Sequence, residues 1–378
     1  MILEREMKVL MTGGGTAGHV NPAIAIAETI KRHNPDATIE FVSSNLPNDK
    51  AVDLVSRAGY KLHRVDICGS FAIYDPRNLK TLYYMIKSKG QARRIVESFK
   101  PDIIIGTGGF ACYPVLNAGA EMGIPTLVHE SNAIAGKAVK KLAGKVDSVI
   151  TNFESTTEQL KGAKRITRVG NPSIFDENKT QKSQKSQNSA KSANSRKNVL
   201  IFGGSGGSET MNDGVVGALT YLAEKFPDVE FYHASGKRDF ERMKSEYART
   251  GLDKRENVVL TDYIYDMDER MARCDLLVCR AGAMTVSEAA LLGKTVVFVP
   301  SPYVVANHQY KNAKAIYDKG ACELCEEREF PEGKLERRIE ELLRDEAKCR
   351  TLGEKMRAFA APDANERIYA EIKRLIEK

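Results

Sequence analysis

Near the start of the chain, Gly13-Gly14-Gly15-Thr16-Ala17-Gly18-His19 gathers four glycines, a hydroxyl and an imidazole. Glycines let a backbone turn tightly and approach a ligand, and a helix opening just beyond, near Asn21-Pro22, would offer N–H groups to an anion. The spacing of Gly13, Gly15 and Gly18 also satisfies G-x-G-x-x-G, the dinucleotide fingerprint. That fingerprint wants an acid at the end of the second strand to hold a ribose. Here the second apolar run ends Phe41-Val42-Ser43-Ser44 with no acid, and dinucleotide binding has no use for a histidine directly after the turn. An imidazole titrates near neutral pH, which suits His19 to general-base work.

Further stretches carry chemistry of the same kind. Gly203-Gly204-Ser205-Gly206-Gly207-Ser208 is a second phosphate-cradling turn, with Ser205 adding a hydroxyl donor. In Cys279-Arg280-Ala281-Gly282-Ala283-Met284-Thr285-Val286-Ser287-Glu288 a strand ends and a helix is expected near Thr285, a good capping residue. Its N–H groups suit a diphosphate, Arg280 a counter-charge, and Glu288 the hydroxyls of a ribose. Thr285 and Glu288 also fit a plain capping box, so both readings stand. His129-Glu130-Ser131-Asn132 and Gly106-Thr107-Gly108-Gly109-Phe110 each follow an apolar run, on the ligand side of a parallel sheet. Asp266-Met267-Asp268 has the D-x-D form of metal-dependent transferases, but acids at a helix start are favoured by the dipole, and that reading is preferred.

The elements that must position these residues repeat a strand, turn, helix plan. Apolar runs at Lys8–Met11, Ile39–Val42, Ile103–Ile105, Thr126–Val128 and Ser148–Ile150 alternate with helical periodicity. Val199–Phe202, Glu230–His233, Val258–Leu260, Leu276–Cys279 and Val296–Val299 repeat the pattern. Short, nearly all-apolar strands imply parallel sheets covered on both faces. The predicted architecture is α/β, two doubly wound Rossmann-like domains facing across a cleft. Residues 1–165 form the first domain, 166–362 the second, and 363–378 an amphipathic helix with Ile368, Ile372, Leu375 and Ile376 on one face, expected to pack back on the first domain. A Lys/Ser/Gln/Asn tract at about 178–197 cannot bury enough surface to order itself.

A chain of 378 residues suits two cores, with 42% hydrophobic and 28% charged residues, as in globular proteins. Of the net charge of +7, most lies between Asp176 and Asn198, where five lysines and Arg196 face two acids. The folded part is only mildly basic, which argues against nucleic acid as a partner. Seven scattered cysteines suit thiols in a reducing compartment, and Cys322-x-x-Cys325 lacks the further ligands a zinc site needs. No apolar run approaches the roughly 20 residues of a membrane span, and the first residues carry no signal-peptide core, so a cytoplasmic location is expected.

Read in order, G-G-G-T-A-G-H-V-N-P, G-T-G-G-F, H-E-S-N-A-I-A-G, V-G-N-P, G-G-S-G-G-S, C-R-A-G-A-M-T-V-S-E and N-H-Q-Y-K-N-A span nearly the whole chain. Together they resemble the bacterial undecaprenyldiphospho-muramoylpentapeptide β-N-acetylglucosaminyltransferases of glycosyltransferase family 28. The resemblance implies a GT-B fold and inverting transfer of GlcNAc from UDP-GlcNAc to the MurNAc 4-hydroxyl of lipid I, giving lipid II for peptidoglycan, cell shape and division. It implies no cofactor and no metal. Thr16, Ala17, Gly18 and Asn132 would meet the donor from the first domain. Ser205, the backbone of Ile264, Arg280, Ala283, Met284, Thr285, Val286, Ser287, Glu288 and Gln309 would meet it from the second. His19 is the candidate base and Glu130 its rival. Ala17 replaces a usual glycine, Gly206-Gly207 replaces Gln-Gly, and Ile174 stands where the family has an arginine, with Arg168 a substitute to consider.

A lipid-linked acceptor implies a peripheral enzyme on the cytoplasmic side of the cell membrane, working beside other proteins of cell-wall synthesis. Leu79 to Lys89 mixes apolar, aromatic and basic residues, as an anionic lipid surface would require. A core helix with a solvated basic edge fits the same letters. A transferase acting on diacylglycerol, a UDP-GlcNAc 2-epimerase and a nucleotide-sugar sensor are the rival functions.

Overall fold

The structure, a computed structural model, describes residues 6–67, 78–173, 196–204 and 206–377, with the backbone alone at 78–82. The chain forms two compact units, Met1–Ile174 with Asp363–Lys378, and Phe175–Pro362.

The first unit runs β1 (Lys8–Thr12), α1 (Ala17–His33), β2 (Thr38–Ser44), α2 (Ala51–Arg57), β3 (Lys61–Val65), α3 (Asn78–Phe99), β4 (Ile103–Gly106), α4 (Cys112–Glu121), β5 (Thr126–Glu130), α5 (Lys137–Leu142), β6 (Ser148–Thr151), α6 (Glu154–Gln159) and β7 (Ile166–Arg168). Its seven strands are parallel, in the order β3-β2-β1-β4-β5-β6-β7. Val9, Leu10 and Met11 on β1 and Ile103, Ile104 and Ile105 on β4 are all fully buried, because helices cover both faces of the sheet. One layer packs Leu10, Val42, Ile104 and Val128 under Val96, Leu116, Val139 and Leu142 from α3, α4 and α5.

The second unit runs β8 (Lys197–Phe202), α7 (Glu209–Lys225), β9 (Val229–Ala234), α8 (Phe240–Thr250), β10 (Val258–Thr261), α9 (Met267–Arg273), β11 (Leu276–Cys279), α10 (Ala283–Leu292), β12 (Thr295–Phe298), α11 (His308–Tyr317), β13 (Glu323–Leu324), α12 (Lys334–Arg344) and α13 (Glu346–Arg357). Its parallel order, β10-β9-β8-β11-β12-β13, repeats the plan of the first sheet. Val199, Ile201, Phe231 and Val278 pack against Leu219 and Leu222 of α7 and Ile339 and Leu342 of α12.

The last helix, α14 (Ala364–Ile376), belongs to the first unit and lies against α1. Ile368, Ile372 and Leu375 are buried there, and Ile376 is half-buried. Tyr369 stacks on His33 with ring centroids 4.1 Å apart, and its hydroxyl accepts from Asn34 Nδ2 at 2.6 Å. The Glu371 carboxylate accepts from Ser148 Oγ at 2.5 Å, Arg165 Nε at 3.1 Å and Arg374 Nη2 at 2.7 Å.

Two boundaries move from their expected places. Ile166–Arg168 was assigned to a second domain starting at 166, but it is the seventh strand of the first sheet, with Ile166 in register with Val149. A three-residue strand has no periodicity to reveal its sheet; only the ladder on β6 decides. Lys197, expected to end the polar tract, opens β8, its amine 2.8 Å from Glu346. The rest of that tract, from 178 to 195, lies outside the described residues.

Cys112, Cys274, Cys279, Cys322 and Cys325 are buried free thiols and Cys349 is half-buried. Burial pushes Cys112 up to about 12 and Cys274 and Cys325 up to about 11, and raises Cys279 and Cys322 as well. Cys322 and Cys325 therefore sit in the interior as two inert thiols.

Candidate active site

In each sheet the strand order reverses beside the first strand, between β1 and β4 and between β8 and β11. Ligands of doubly wound folds bind outside the carboxyl ends of the strands at that point. The Gly13–His19 turn follows β1, and Gly106–Phe110 follows β4. The two are in contact: Thr107 Oγ1 donates to the His19 carbonyl at 2.6 Å, and a Cβ on Gly109 would lie 2.3 Å from the Gly14 carbonyl oxygen. With φ of 87° at Gly109, only glycine fits there without strain.

Helix α1 starts at Ala17, four residues before the expected Asn21-Pro22, and Thr16 is its N-cap. Pro22 lies in the second turn, while His19 and Val20 N–H groups donate to the Thr16 carbonyl and start the helix upstream. His19 thus stands in the first helical turn, half-buried. Its Nδ1 is 3.2 Å from the Gly14 carbonyl and 3.4 Å from Thr16 Oγ1. A carbonyl can only accept, so Nδ1 carries the hydrogen and Nε2 is the basic atom. Among the described residues, the Ala17 and Gly18 N–H groups at the helix start have no partner. They suit an anion.

Glu130, the rival base, also holds a loop. It is buried at the end of β5, where Oε1 accepts from the Asn132 N–H at 3.0 Å and Nδ2 at 3.1 Å, and Oε2 accepts from the Gly136 N–H at 2.8 Å. A carboxylate holding three donors is committed to shaping residues 130–136, and Asn132 is positioned by it. His129 is buried, donating through Nε2 to the Gly170 carbonyl at 3.0 Å, and burial lowers its basicity. Ile174 lies outside the described residues. Arg168, at the end of β7, lies 3.8 Å from exposed Glu154.

In the second unit, Ser205 lies outside the described residues, while its neighbours form a tight turn in which the Gly207 N–H donates to the Gly204 carbonyl at 3.0 Å. Ser208 is the N-cap of α7. Arg280, expected to face a diphosphate, turns inward. It is buried, donates to the Val299 carbonyl at 2.9 Å and to Ser208 Oγ, and is paired with buried Glu327. Its charge is neutralised within the protein, and it ties the second glycine turn to the ends of β11 and β12. Glu327 lies 47 residues away, so no local pattern could announce it.

Helix α10 begins at Ala283 with Gly282 as N-cap, earlier than the expected Thr285. The Val286 N–H returns to the Gly282 carbonyl at 2.9 Å. Thr285 is therefore inside the helix, and the Thr285–Glu288 capping box is not formed. Glu288 lacks a hydrogen-bond partner among the described residues, and desolvation pushes its carboxyl up to about 7. Ala283, Met284, Thr285, Val286 and Ser287 form the first turns of this helix beside it. In α11, Gln309 Oε1 accepts from the Ser301 N–H at 2.9 Å, which turns its amide N–H2 outward as a donor. Ile264 is buried in the loop after β10, flanked by Tyr263 and Tyr265, with Lys237 Nζ 5.6 Å and 5.5 Å from their ring centroids. Sequence reading missed this aromatic pair. Asp266 caps α9 and pairs with Arg270 at 2.9 Å, as a helix-start acid should.

Comparison with known proteins decides the family. The glycosyltransferase family 28 N-terminal domain matches residues 9–151, and the family 28 C-terminal domain matches 198–368. The chain belongs to glycosyltransferase family 28. This family 28 chain is 35% identical over 372 residues to UDP-N-acetylglucosamine–N-acetylmuramyl-(pentapeptide) pyrophosphoryl-undecaprenol N-acetylglucosamine transferase 1 of Bacillus cereus, covering 98% of this chain and 100% of the relative. It is 34% identical over 373 residues to the UDP-N-acetylglucosamine–N-acetylmuramyl-(pentapeptide) pyrophosphoryl-undecaprenol N-acetylglucosamine transferase of Exiguobacterium, with the same coverage. The crystal structure of Acinetobacter baumannii MurG matches with a TM-score of 0.78 at 26% identity, over 97% of this chain and 99% of that one. A UDP-GlcNAc 2-epimerase from Neisseria meningitidis matches with a TM-score of 0.66 at 16% identity, over 97% of this chain and 100% of that one; this likeness is one of fold.

Outside the turns, α3 exposes large apolar side chains: Tyr83 at 60%, Met85 at 50% and Ile86 at 69%. Lys87 pairs with Asp66 at 2.8 Å and Lys89 with Glu121 at 2.8 Å, so the basic edge is partly neutralised. Among the described residues, no helix is long and apolar enough to cross a membrane.

Proposed function

We propose that this chain transfers GlcNAc from UDP-GlcNAc to the MurNAc 4-hydroxyl of lipid I, forming lipid II and releasing UDP. The observation that carries this reading is full-length identity of 35% to transferases named for that reaction. The geometry supports it with a histidine in the first turn of α1 and with Glu288 and Gln309 presenting an acceptor and a donor.

In the mechanism, the 4-hydroxyl attacks the anomeric carbon as the bond to the diphosphate oxygen breaks, a single displacement that inverts the centre. His19 Nε2 takes the hydroxyl proton. The first turn of α10 stabilises charge gathering on the departing diphosphate. Glu288 accepts from the ribose hydroxyls, Gln309 donates to the sugar, and the Ile264 backbone meets the uracil. Ser205, Thr16, Ala17, Gly18 and Asn132 complete the donor contacts. Arg280 acts indirectly, by holding the second turn.

A lipid-linked acceptor supports a peripheral location on the cytoplasmic face of the cell membrane, beside the proteins of cell-wall synthesis. The exposed apolar side chains of α3 support an interfacial helix over a core one. Incubation with labelled UDP-GlcNAc, with and without a lipid I analogue, tests the reaction. UDP release that depends on the analogue is expected. Release with diacylglycerol instead, or acceptor-independent formation of ManNAc, would replace this reading by one of its rivals.

A further inference from the structure

Five donors converge on one buried carboxylate just beyond β2. Asp49 Oδ1 accepts from the Gly15 N–H at 2.8 Å and the Ala51 N–H at 2.9 Å. Oδ2 accepts from Ser43 Oγ at 2.6 Å, the Ser44 N–H at 3.1 Å and Ser44 Oγ. Four of these donors belong to the end of β2 and the loop's own path into α2, but Gly15 lies 34 residues earlier, in the turn that carries His19. The turn also meets this loop at Gly14, where a Cβ would lie 1.8 Å from Ser43 Oγ, and at the Gly15 carbonyl, which accepts from the Lys50 N–H at 3.4 Å.

We propose that Asp49 is a positioning residue for transfer: by fixing Gly15 it fixes the adjoining Gly14 carbonyl, and through that carbonyl the tautomer and direction of the His19 ring. The inference rests on the reading of His19 as base. The links are direct: the carboxylate holds the Gly15 N–H at 2.8 Å, that N–H and the Gly14 carbonyl are two ends of one planar peptide group, and the carbonyl meets His19 Nδ1 at 3.2 Å. Burial alone would raise the Asp49 carboxyl, but hydrogen bonds from Ser43, Ser44, Ala51 and Gly15 override it and hold it below the usual carboxylate range. The anchor therefore stays ionised throughout the neutral range. The same placement accounts for the missing ribose-binding acid of the dinucleotide reading. An acid does follow β2, but it is folded beneath the glycine turn with both oxygens used.

Asp49→Asn puts an N–H2 group among five donors, and Asp49→Ser removes the carboxylate without doing so. Either variant that folds is a sufficient test. Folding of the first unit, which holds Asp49, is checked by the protection of its buried Cys112 thiol from alkylation. The expected result is a fall in kcat of roughly 10- to 100-fold, the scale of a misplaced catalytic group. KM for UDP-GlcNAc should stay within about threefold. In 15N-histidine-labelled protein, the single Nδ1–H tautomer of His19 should give way to a mixture, a change that mere loss of stability does not produce. An unchanged His19 spectrum in a folded variant would overturn the proposal. If the spectrum changes while His19→Ala keeps normal turnover, the anchoring stands as geometry but the assignment of the base falls, and the positioning role in transfer falls with it.

Discussion

At His19 the Nδ1–H is directed to the Gly14 carbonyl, which leaves Nε2 as the basic atom for the proposed proton transfer. Replacing His19 by Ala is expected to lower kcat roughly 100- to 10,000-fold while UDP affinity stays near normal; turnover within a few-fold of wild type would remove it from the mechanism. Glu288 offers a second measurement. Its carboxyl is pushed up to about 7 by desolvation, so in the unliganded protein it ionises across the neutral range. A charged acceptor binds hydroxyls more strongly, so UDP-GlcNAc affinity should rise between pH 6 and 8. Glu288→Gln should flatten that rise and weaken binding about tenfold. Because the folded pKa lies above the unfolded one, the charge destabilises the protein fully above pH 7 and not at all well below the unfolded value. Glu288→Gln should therefore raise Tm at pH 8 more than at pH 5, and calorimetry reads the difference. The motif made the place of His19 beside the glycine turn legible in advance. The loop-holding part of Glu130 was not legible, because its three donors include two backbone N–H groups of its own loop, which residue types do not reveal.

Among the elements, α14 was readable as an amphipathic helix from Ile368, Ile372 and Leu375, since periodicity survives without tertiary context. Its polar fastening to β6 was not. Burial of Glu371 would raise its carboxyl, but Arg374, Ser148 and Arg165 bring it down to about 2. A depressed acid contributes stability above its unfolded pKa and loses it as pH falls towards 2. Glu371→Gln should cost about 1–3 kcal/mol at pH 7 and progressively less below pH 4, seen in chemical denaturation. Helix starts were less legible, because the cap is set by backbone geometry: Gly282 and Thr16 cap α10 and α1 where Thr285 and the Asn21-Pro22 pair looked better by residue type. In α3, changing Tyr83 and Ile86 together to Ser should weaken binding to vesicles of anionic lipid about tenfold or more. Co-sedimentation with unchanged affinity would return α3 to the solvated-edge reading.

For the whole molecule, two βα repeats with nearly all-apolar strands were enough to predict two parallel sheets, because each strand buried on both faces must be apolar at every position. The place where one unit ends was harder to read, since β7 is too short to show a period and joins its sheet through backbone pairing alone. The buried thiols extend this division of the chain into a measurement of breathing. Cys112 belongs to the first unit, whereas Cys274, Cys279, Cys322 and Cys325 belong to the second. A thiol held in the interior and far from ionising reacts with an alkylating probe only when its surroundings open. Labelling followed by peptide mass spectrometry would thus time the opening of each unit separately. UDP should slow labelling of the second unit's cysteines and leave Cys112 nearly unaffected, while equal slowing everywhere would show that the two units open as one. The sulphur atoms that do no chemistry in the reaction are, in this sense, five clocks built into the two cores.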